Sequence, residues 1–485
     1  TYLNEGAQSL DLDYQFDNTS ISIYWGGTDS RNTTPASRNT TSSHNRNRNI
    51  SFYEVSLGTT PMDSNTTGWV NVEGVENYIF QGMELVNGTT YYGNIRAYDQ
   101  AGNISALLSG DGITIDQTPP STGNIYDYSL DDVDWTAVTY QLEGVITGFS
   151  DSLSGVVEYW ISVGLAQGQA QVLDWRSNGP DTSFIEALEL TPGPTYYINA
   201  YAIDAVGNIS EIVSSDGVGV DLISPEIGTV YDGLSTDLTW SKNDSTASAN
   251  WFGFVDLLSG IDHYIYSIST TAGEDNIINW TNIDSSTIIT HEGLSLDHGV
   301  LYYFNVKAVD EVGNVSSPSS SNGVTVDILP PSITYVSEAS EDDPLYQGSD
   351  STISVFWGGT DDLSGVESYM YSLGVSQGDT TISDWENTGL NTSGTAINLD
   401  LVEGETYWAS VVATDLAGNI ATAYGSGVTI DLTAPSIGSV IDISELNNQS
   451  DQSFTGSATT LMASWGGFSD NLSGIEYYEY GVGSS

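Results

Sequence analysis

The chain of 485 residues contains no cysteine and only 8 Lys plus Arg, against 64 Asp plus Glu. The absence of cysteine removes disulfides, thiol chemistry and Cys-ligated zinc together. It does not assign a compartment, because domains of ordinary size bury enough apolar surface to hold without cross-links. The acidic share is ordinary and the basic share far below normal usage, which leaves a formal net charge of −56. So few bases exclude a nucleic-acid partner, whose binding is driven by Lys and Arg displacing counterions, and an anionic membrane surface for the same reason. Most carboxylates have no basic partner in the chain. They must be solvated, bonded to backbone or neutralised by bound cations. No apolar run approaches the ~18 residues of a membrane helix, so no direct membrane insertion is expected. Histidine is also scarce: His44, His263, His291 and His298 fall in no Gly-x-Ser-x-Gly or His-Glu-x-x-His context.

Against these absences stand 39% apolar residues, 11% aromatic residues and 51 glycines, too many core formers for intrinsic disorder. They are arranged periodically. Trp69, Trp175, Trp280 and Trp385 stand 106, 105 and 105 residues apart, and the run Asp-x-x-Gly-Asn recurs at Asp99, Asp204, Asp310 and Asp415. A valine- and isoleucine-rich run ending in Asp recurs at Asp116, Asp221, Asp327 and Asp431. A period of about 105 residues is the size of a small domain rather than of a solenoid repeat. It predicts repeats over 1–117, 118–222, 223–328 and 329–432, with a partial fifth over 433–485. The frame places both chain ends inside a repeat, so the residues are expected to be a window from a longer protein.

Within a repeat the apolar period is two. Tyr302, Phe304, Val306 and Ala308 share one face, as do Tyr91, Gly93, Ile95 and Ala97; Tyr196, Ile198, Ala200 and Ala202; and Tyr407, Ala409, Val411 and Ala413. The other face carries Asn94, Asn199, Asn305 and Ser410 and varies beyond them, which predicts a half-buried strand. Gly, Asn, Asp and Ser clusters punctuate the repeat and no long amphipathic helix is visible. The expected fold is all-β, a tandem of antiparallel β-sandwiches in a rod.

Leu-x-x-Gly-x-x-Tyr precedes that strand at Leu85–Tyr91, Leu190–Tyr196, Leu296–Tyr302 and Leu401–Tyr407. This resembles the tyrosine corner of fibronectin type III and related immunoglobulin-like domains, which implies a Tyr hydroxyl bonded back to the preceding loop. Trp25, Trp251, Trp357 and Trp465 resemble the second-strand core Trp of fibronectin type III domains, with Phe149 near that place in the second repeat. Ser426 to Pro435 resembles the last strand and linker of repeats in large bacterial surface proteins. The likeness covers essentially the whole chain and is specific for fold rather than function.

If the topology follows the resemblance, two loops and the linker from the preceding repeat meet at one tip. Asp116 would then meet Asp151 and Asp204; Asp221 would meet Asp256 and Asp310; and Asp327 would meet Asp361 or Asp362 and Asp415, with Asp431 a further linker acid and Asp470 a further loop acid of the series. Three carboxylates with loop carbonyls suit Ca2+, which takes six to eight oxygens in irregular geometry. The competing reading is that each Asp only caps its own turn. A second candidate is an insertion between Asp29 and Tyr53, about Ser30 to Ile50, holding Arg31, Arg38, Arg46 and Arg48, half of the chain's bases. It reads either as a basic loop docking an acidic neighbour or anionic glycan, or as a polar loop without a partner. The four periodic tryptophans are expected to pack on their own sheets rather than to stack on sugars. Sequons such as Asn32, Asn39, Asn65, Asn103, Asn208 and Asn314 are plentiful in a chain this rich in Asn, Ser and Thr.

Acids that recur once per repeat point to construction, since an active site is normally single. The functional expectation is a non-catalytic stalk of a large extracellular or cell-surface adhesin, presenting a region that binds a cell-surface, matrix or glycan ligand. Alternatives are a protomer of a surface filament or layer held by homotypic lateral contacts, and the accessory region of an extracellular polysaccharide-degrading enzyme.

Overall fold

The computed structural model describes residues 2–6, 10–26, 50–128, 132–443 and 450–483. Arg31, Arg38, Arg46 and Arg48 lie outside the described residues. The described chain is strand and turn throughout, with no helix among these residues. Among the described residues, no helix is therefore long and apolar enough to cross a membrane.

The first repeat shows the plan. Its strands are β1 (Tyr2–Glu5), β2 (Tyr14–Gln15), β3 (Ser20–Gly26), β4 (Ile50–Gly58), β5 (Val70–Asn71), β6 (Asn77–Gln81), β7 (Thr90–Asp99), β8 (Leu108–Ser109) and β9 (Ile113–Ile115). One sheet has the order β1-β3-β6; the other has the order β2-β9-β7-β4-β5, with β8 also on β7. Every pairing is antiparallel except β2 with β9. The same pair of sheets recurs three more times. The first strand and the short second strand lie on different sheets, so the chain crosses from one sheet to the other at the start of each repeat. The chain is a tandem of all-β sandwiches of this kind. In the fifth stretch the described strands are Ser439–Ile443 and Met462–Gly466, paired with each other.

Period-two patterning produces this result because alternate side chains point to opposite faces. Ile21, Ile23 and Trp25 of β3 are buried against Val55 and Leu57 of β4 and Ile95 of β7, and the second, third and fourth repeats each close a core of their own. Trp251 and Trp357 occupy the place of Trp25; in the second repeat that place in the register belongs to Ile146, and Phe149, three residues on like Phe254 in the third, joins the same core. Trp465 is 40% exposed, its ring packed against those of Tyr478 and Tyr480, with centroids 5.8 and 6.0 Å away. The tyrosine corner is present in all four. The hydroxyls of Tyr91, Tyr196, Tyr302 and Tyr407 accept from the amides of Val86, Thr191, Asp297 and Val402 at 2.8–3.0 Å.

The described residues gather into two compact units. One holds Thr1–Pro225, Asp256–Gly260 and Asp310–Asn314; the other holds Glu226–Val255, Ile261–Val309 and Val315–Ser485.

Candidate metal centres

Each linker acid follows the last strand of its repeat. Asp116, directly after β9, donates its amide to the Gln15 carbonyl at 2.9 Å, which fixes its side chain at the end of the sheet. Its Oδ1 accepts from the Thr118 amide at 3.0 Å and its Oδ2 from the Ser154 amide at 3.1 Å. The Ser154 contact reaches into the loop after Gln141–Thr147, where Asp151 Oδ1 accepts the amides of Leu153 and Gly155, both at 2.9 Å. Asp204 ends the strand Thr195–Asp204, and its Oδ1 accepts the amides of Val206 and Asn208 at 3.0 and 2.8 Å. Asn208 ties the three segments together, its Nδ2 donating to Asp204 Oδ2 at 2.7 Å and to the Asp116 carbonyl at 3.2 Å.

The arrangement recurs. Asp221 accepts from the Ile223 amide and from both the amide and hydroxyl of Ser259, while Asp256 caps the turn to Gly260 and Asp310 the turn to Asn314. Asp327 accepts from the Leu329 and Ser364 amides, Asp361 Oδ2 from the Leu363 and Gly365 amides, and Asp415 from Asn419. The three groups Asp116–Asp151–Asp204, Asp221–Asp256–Asp310 and Asp327–Asp361–Asp415 each bring carboxylate oxygens within 4.8 Å of one another. Between Asp361 and Asp362 the structure selects Asp361, because Asp362 turns outward with a side chain 66% exposed. Asp431 and Asp470 repeat the first two members, Asp431 Oδ2 accepting the Ser473 amide at 3.1 Å and Asp470 Oδ1 those of Leu472 and Gly474. The Ser473 hydroxyl, with the Ser473 and Thr433 amides, holds the Asp431 carboxyl below its ordinary range.

Turn capping and convergence therefore coexist. The linker and strand-end acids are buried, with Asp116, Asp221, Asp327 and Asp415 at 0% exposure. No described Lys or Arg is ion-paired with any of the nine. Only His298 approaches, with Nδ1 3.4 Å from Asp327 Oδ1. Two carboxylates at such separations repel by about 3 kcal/mol at the effective dielectric of a protein surface. Each accepting oxygen has two lone pairs, so an amide bond does not exhaust it. Asp361 Oδ1 is buried without a hydrogen-bond partner. Three hard carboxylates from three loops can take a hard divalent cation and suit no soft one.

A second set of acids was invisible in the repeat frame. Glu5, Asp127, Asp232 and Glu338 end the first strand of each repeat and are fully buried. Glu338 accepts the Ala409 amide on one oxygen and the Gly427 amide on the other, and Asp127 and Asp232 accept the amides of Gly217 and Gly323. The backbone amide of each buried acid donates to a second acid, Asp11, Asp132, Asp237 or Asp343, at 3.1 Å. Burial, foremost, lifts the carboxyls of Glu5, Asp127, Asp232 and Glu338 to about 7. The sequence signal was an acid at a strand end followed by another five or six residues on. It was masked by the abundance of turn acids.

The asparagines read as the variable face of a strand also do more. Asn94, Asn199 and Asn305 are fully buried, and their side-chain carbonyls accept the amides of Met62, Gly168 and Gly273 while their amino groups donate to Asp63, Gln169 and Glu274 carbonyls. Each pins the turn of a neighbouring hairpin. The periodic tryptophans lie on the same outer sheet face. Arg96 caps Trp69 at 4.2 Å and Lys307 caps Trp280 at 3.9 Å.

Fold and site together define a class: tandem fibronectin type III-like sandwiches with a convergent acid triad at the tip of each successive repeat. No protein-family model matches the chain. A stretch of 304 residues is 25% identical to "Exoglucanase B" of Cellulomonas fimi, covering 59% of this chain and 25% of that protein. The chain thus spans about a quarter of the length of the curated relative it matches. Among solved structures, the "Crystal structure of chicken CNTN1 FN1-FN3 domains" is similar over 64% of this chain and 97% of that chain, at 17% identity and a TM-score of 0.26.

Proposed function

We propose that the chain is a non-catalytic spacer of a larger extracellular protein, in which Ca2+ held by the acid triads fixes each β-sandwich to the linker that precedes it. The observation that supports this is the composition of the triad: one acid from the linker and two from loops of the following repeat, recurring three times. An acid whose only task is to cap its own turn has no need of two others beside it. A bound divalent cation replaces mutual repulsion with shared attraction and leaves the linker without freedom to swing. Isothermal titration of the chelator-treated chain with CaCl2 tests the reading. About three sites per chain are expected, falling by one in Asp204→Asn and by one in Asp310→Asn. Absence of saturable heat at millimolar Ca2+ contradicts it.

A second reading concerns the larger protein. The similarity to an exoglucanase over part of that enzyme's length supports a spacer in an extracellular polysaccharide-degrading enzyme rather than an adhesin stalk. Sequencing the reading frame to either side distinguishes them: a catalytic domain supports the enzyme, and a terminal ligand-binding domain with a surface-sorting signal supports the adhesin.

A further inference from the structure

The outer face of the six-stranded sheet carries one position, seven residues into the long strand, whose occupant differs in every repeat: Arg96, Tyr201, Lys307 and Val412. In the first and third repeats a cation there covers the indole of Trp69 or Trp280. Arg96 is held in place by Glu54, its Nε 2.8 Å from Glu54 Oε2. In the fourth, Val412 pairs in register with Met370, and Trp385 stands 38% exposed. The second repeat alone makes the position aromatic and places a second aromatic opposite it. Tyr201 pairs in register with Trp160, their rings parallel to within 7° with centroids 6.1 Å apart, and Trp175 lies 4.8 Å from Tyr201 at 47°. All three rings are half-buried, so each keeps part of its surface open to solvent.

We propose that Trp160, Trp175 and Tyr201 form a stacking platform for a neutral polysaccharide. The axial C–H face of a pyranose lies well on an aromatic face, which is apolar and electron-rich. Its equatorial hydroxyls need donors and acceptors at the rim, and these are present. Glu158 and Ser177 border the rings and bond to each other, whereas Arg176 pairs in register with the core residue Ile161 and reaches Glu186 of the facing sheet at 2.8 Å, on the other face. Net charge selects the class of glycan. A chain carrying −56 repels polyanions, and Arg176 is turned to the other face and already paired, so uronate or sulfated polymers are excluded and neutral ones are not. A cation on the rings, the place that the Arg96 and Lys307 side chains take in the sister repeats, is the competing occupant. The platform lies apart from the acid triads and does not depend on them.

Retention of the full chain on particles of cellulose, insoluble xylan and chitin, measured in EDTA so that the triads play no part, tests the assignment. Wild type is expected to be retained on at least one of the three. Trp175→Ala should lower its partition at least tenfold. Tyr201→Lys restores the cation cap that the third repeat tolerates, so it should lower the partition equally with no change in thermal midpoint. Trp280→Ala should leave retention intact. Failure of wild type to bind all three polymers overturns the proposal, as does retention of Tyr201→Lys at the wild-type level. So does quenching of tryptophan emission by tetramethylammonium but by none of the corresponding soluble oligosaccharides.

Discussion

At the scale of single residues, Glu338 and Asp232 do the same task with side chains of different length, and their neighbours compensate. Glu338 fills the space above Gly425, where an added Cβ would lie 1.9 Å from its Oε1. In the second and third repeats the acid is Asp, one methylene shorter, and the residue facing it is Ser215 or Ser321. Those serine hydroxyls accept the amides of Ile198 and Phe304, the counterparts of the Ala409 amide that Glu338 accepts directly. Gly425→Ala should therefore destabilise its repeat by about 2–3 kcal/mol through overpacking, whereas Ser215→Ala should lose about 1–2 kcal/mol of hydrogen bonding; urea titration of the two variants checks the order. The buried acids also set a pH dependence. Burial lifts Asp232 from 3.8 and Glu338 from 4.5 to about 7, so the folded chain retains protons that the unfolded chain has released. This contribution is complete below pH 4 and is lost as pH rises through about 7. Between pH 5 and 8, where ordinary carboxylates are ionised already, the thermal midpoint in EDTA should fall, and Asp232→Asn should make the decline shallower. A midpoint constant over that range contradicts the assignment. The tyrosine corners were readable from Leu-x-x-Gly-x-x-Tyr because motif and partner lie within seven residues. The buried acids were not, because what buries Asp127 is a serine and a glycine about 90 residues further along.

At the scale of the elements, strand alternation was readable wherever one face is apolar, as along Tyr302, Phe304, Val306 and Ala308. It misled for the intervening Asn305, since polarity was taken for exposure. Asn305 is fully buried because the hairpin turn at Gly273 folds over it and brings a donor and a carbonyl to its amide group. A polar side chain with both ends satisfied can be buried at little cost, and only the tertiary fold supplies the partners. Removing those partners in Asn305→Ala leaves the Gly273 amide without its acceptor. Its hydrogen exchange should quicken at least tenfold, and the repeat should lose about 1–2 kcal/mol, while the amides paired across Tyr302 stay protected. Uniform acceleration throughout the repeat would show instead that Asn305 supports the whole sandwich.

At the scale of the whole molecule, the charge of −56 is unevenly organised. The triads were legible as acids recurring at a fixed interval, because both the repeat length and the strand order of a sandwich put the linker and two loops at one end. Which of two adjacent acids takes part was not legible: Asp361 is turned inward by bonds to the Leu363 and Gly365 amides and Asp362 is left in solvent. Nor did spacing disclose how firmly the hydrogen bonds of Asn208, Asn314 and Asn419 already join linker to loop, at 3.2, 3.4 and 2.8 Å from the preceding carbonyls. These bonds hold the acids in position, and the repulsion that remains is what a cation would relieve. The central claim is tested most directly by differential scanning calorimetry of the full chain at pH 7.5 in 2 mM CaCl2 and in 2 mM EDTA. A ligand at about a hundred times its dissociation constant stabilises by about 2.7 kcal/mol per site, so calcium should raise the transition by several degrees, and the rise should shrink in Asp204→Asn and Asp310→Asn. Superimposable transitions in calcium and in EDTA would mean that the acids cap turns and nothing more.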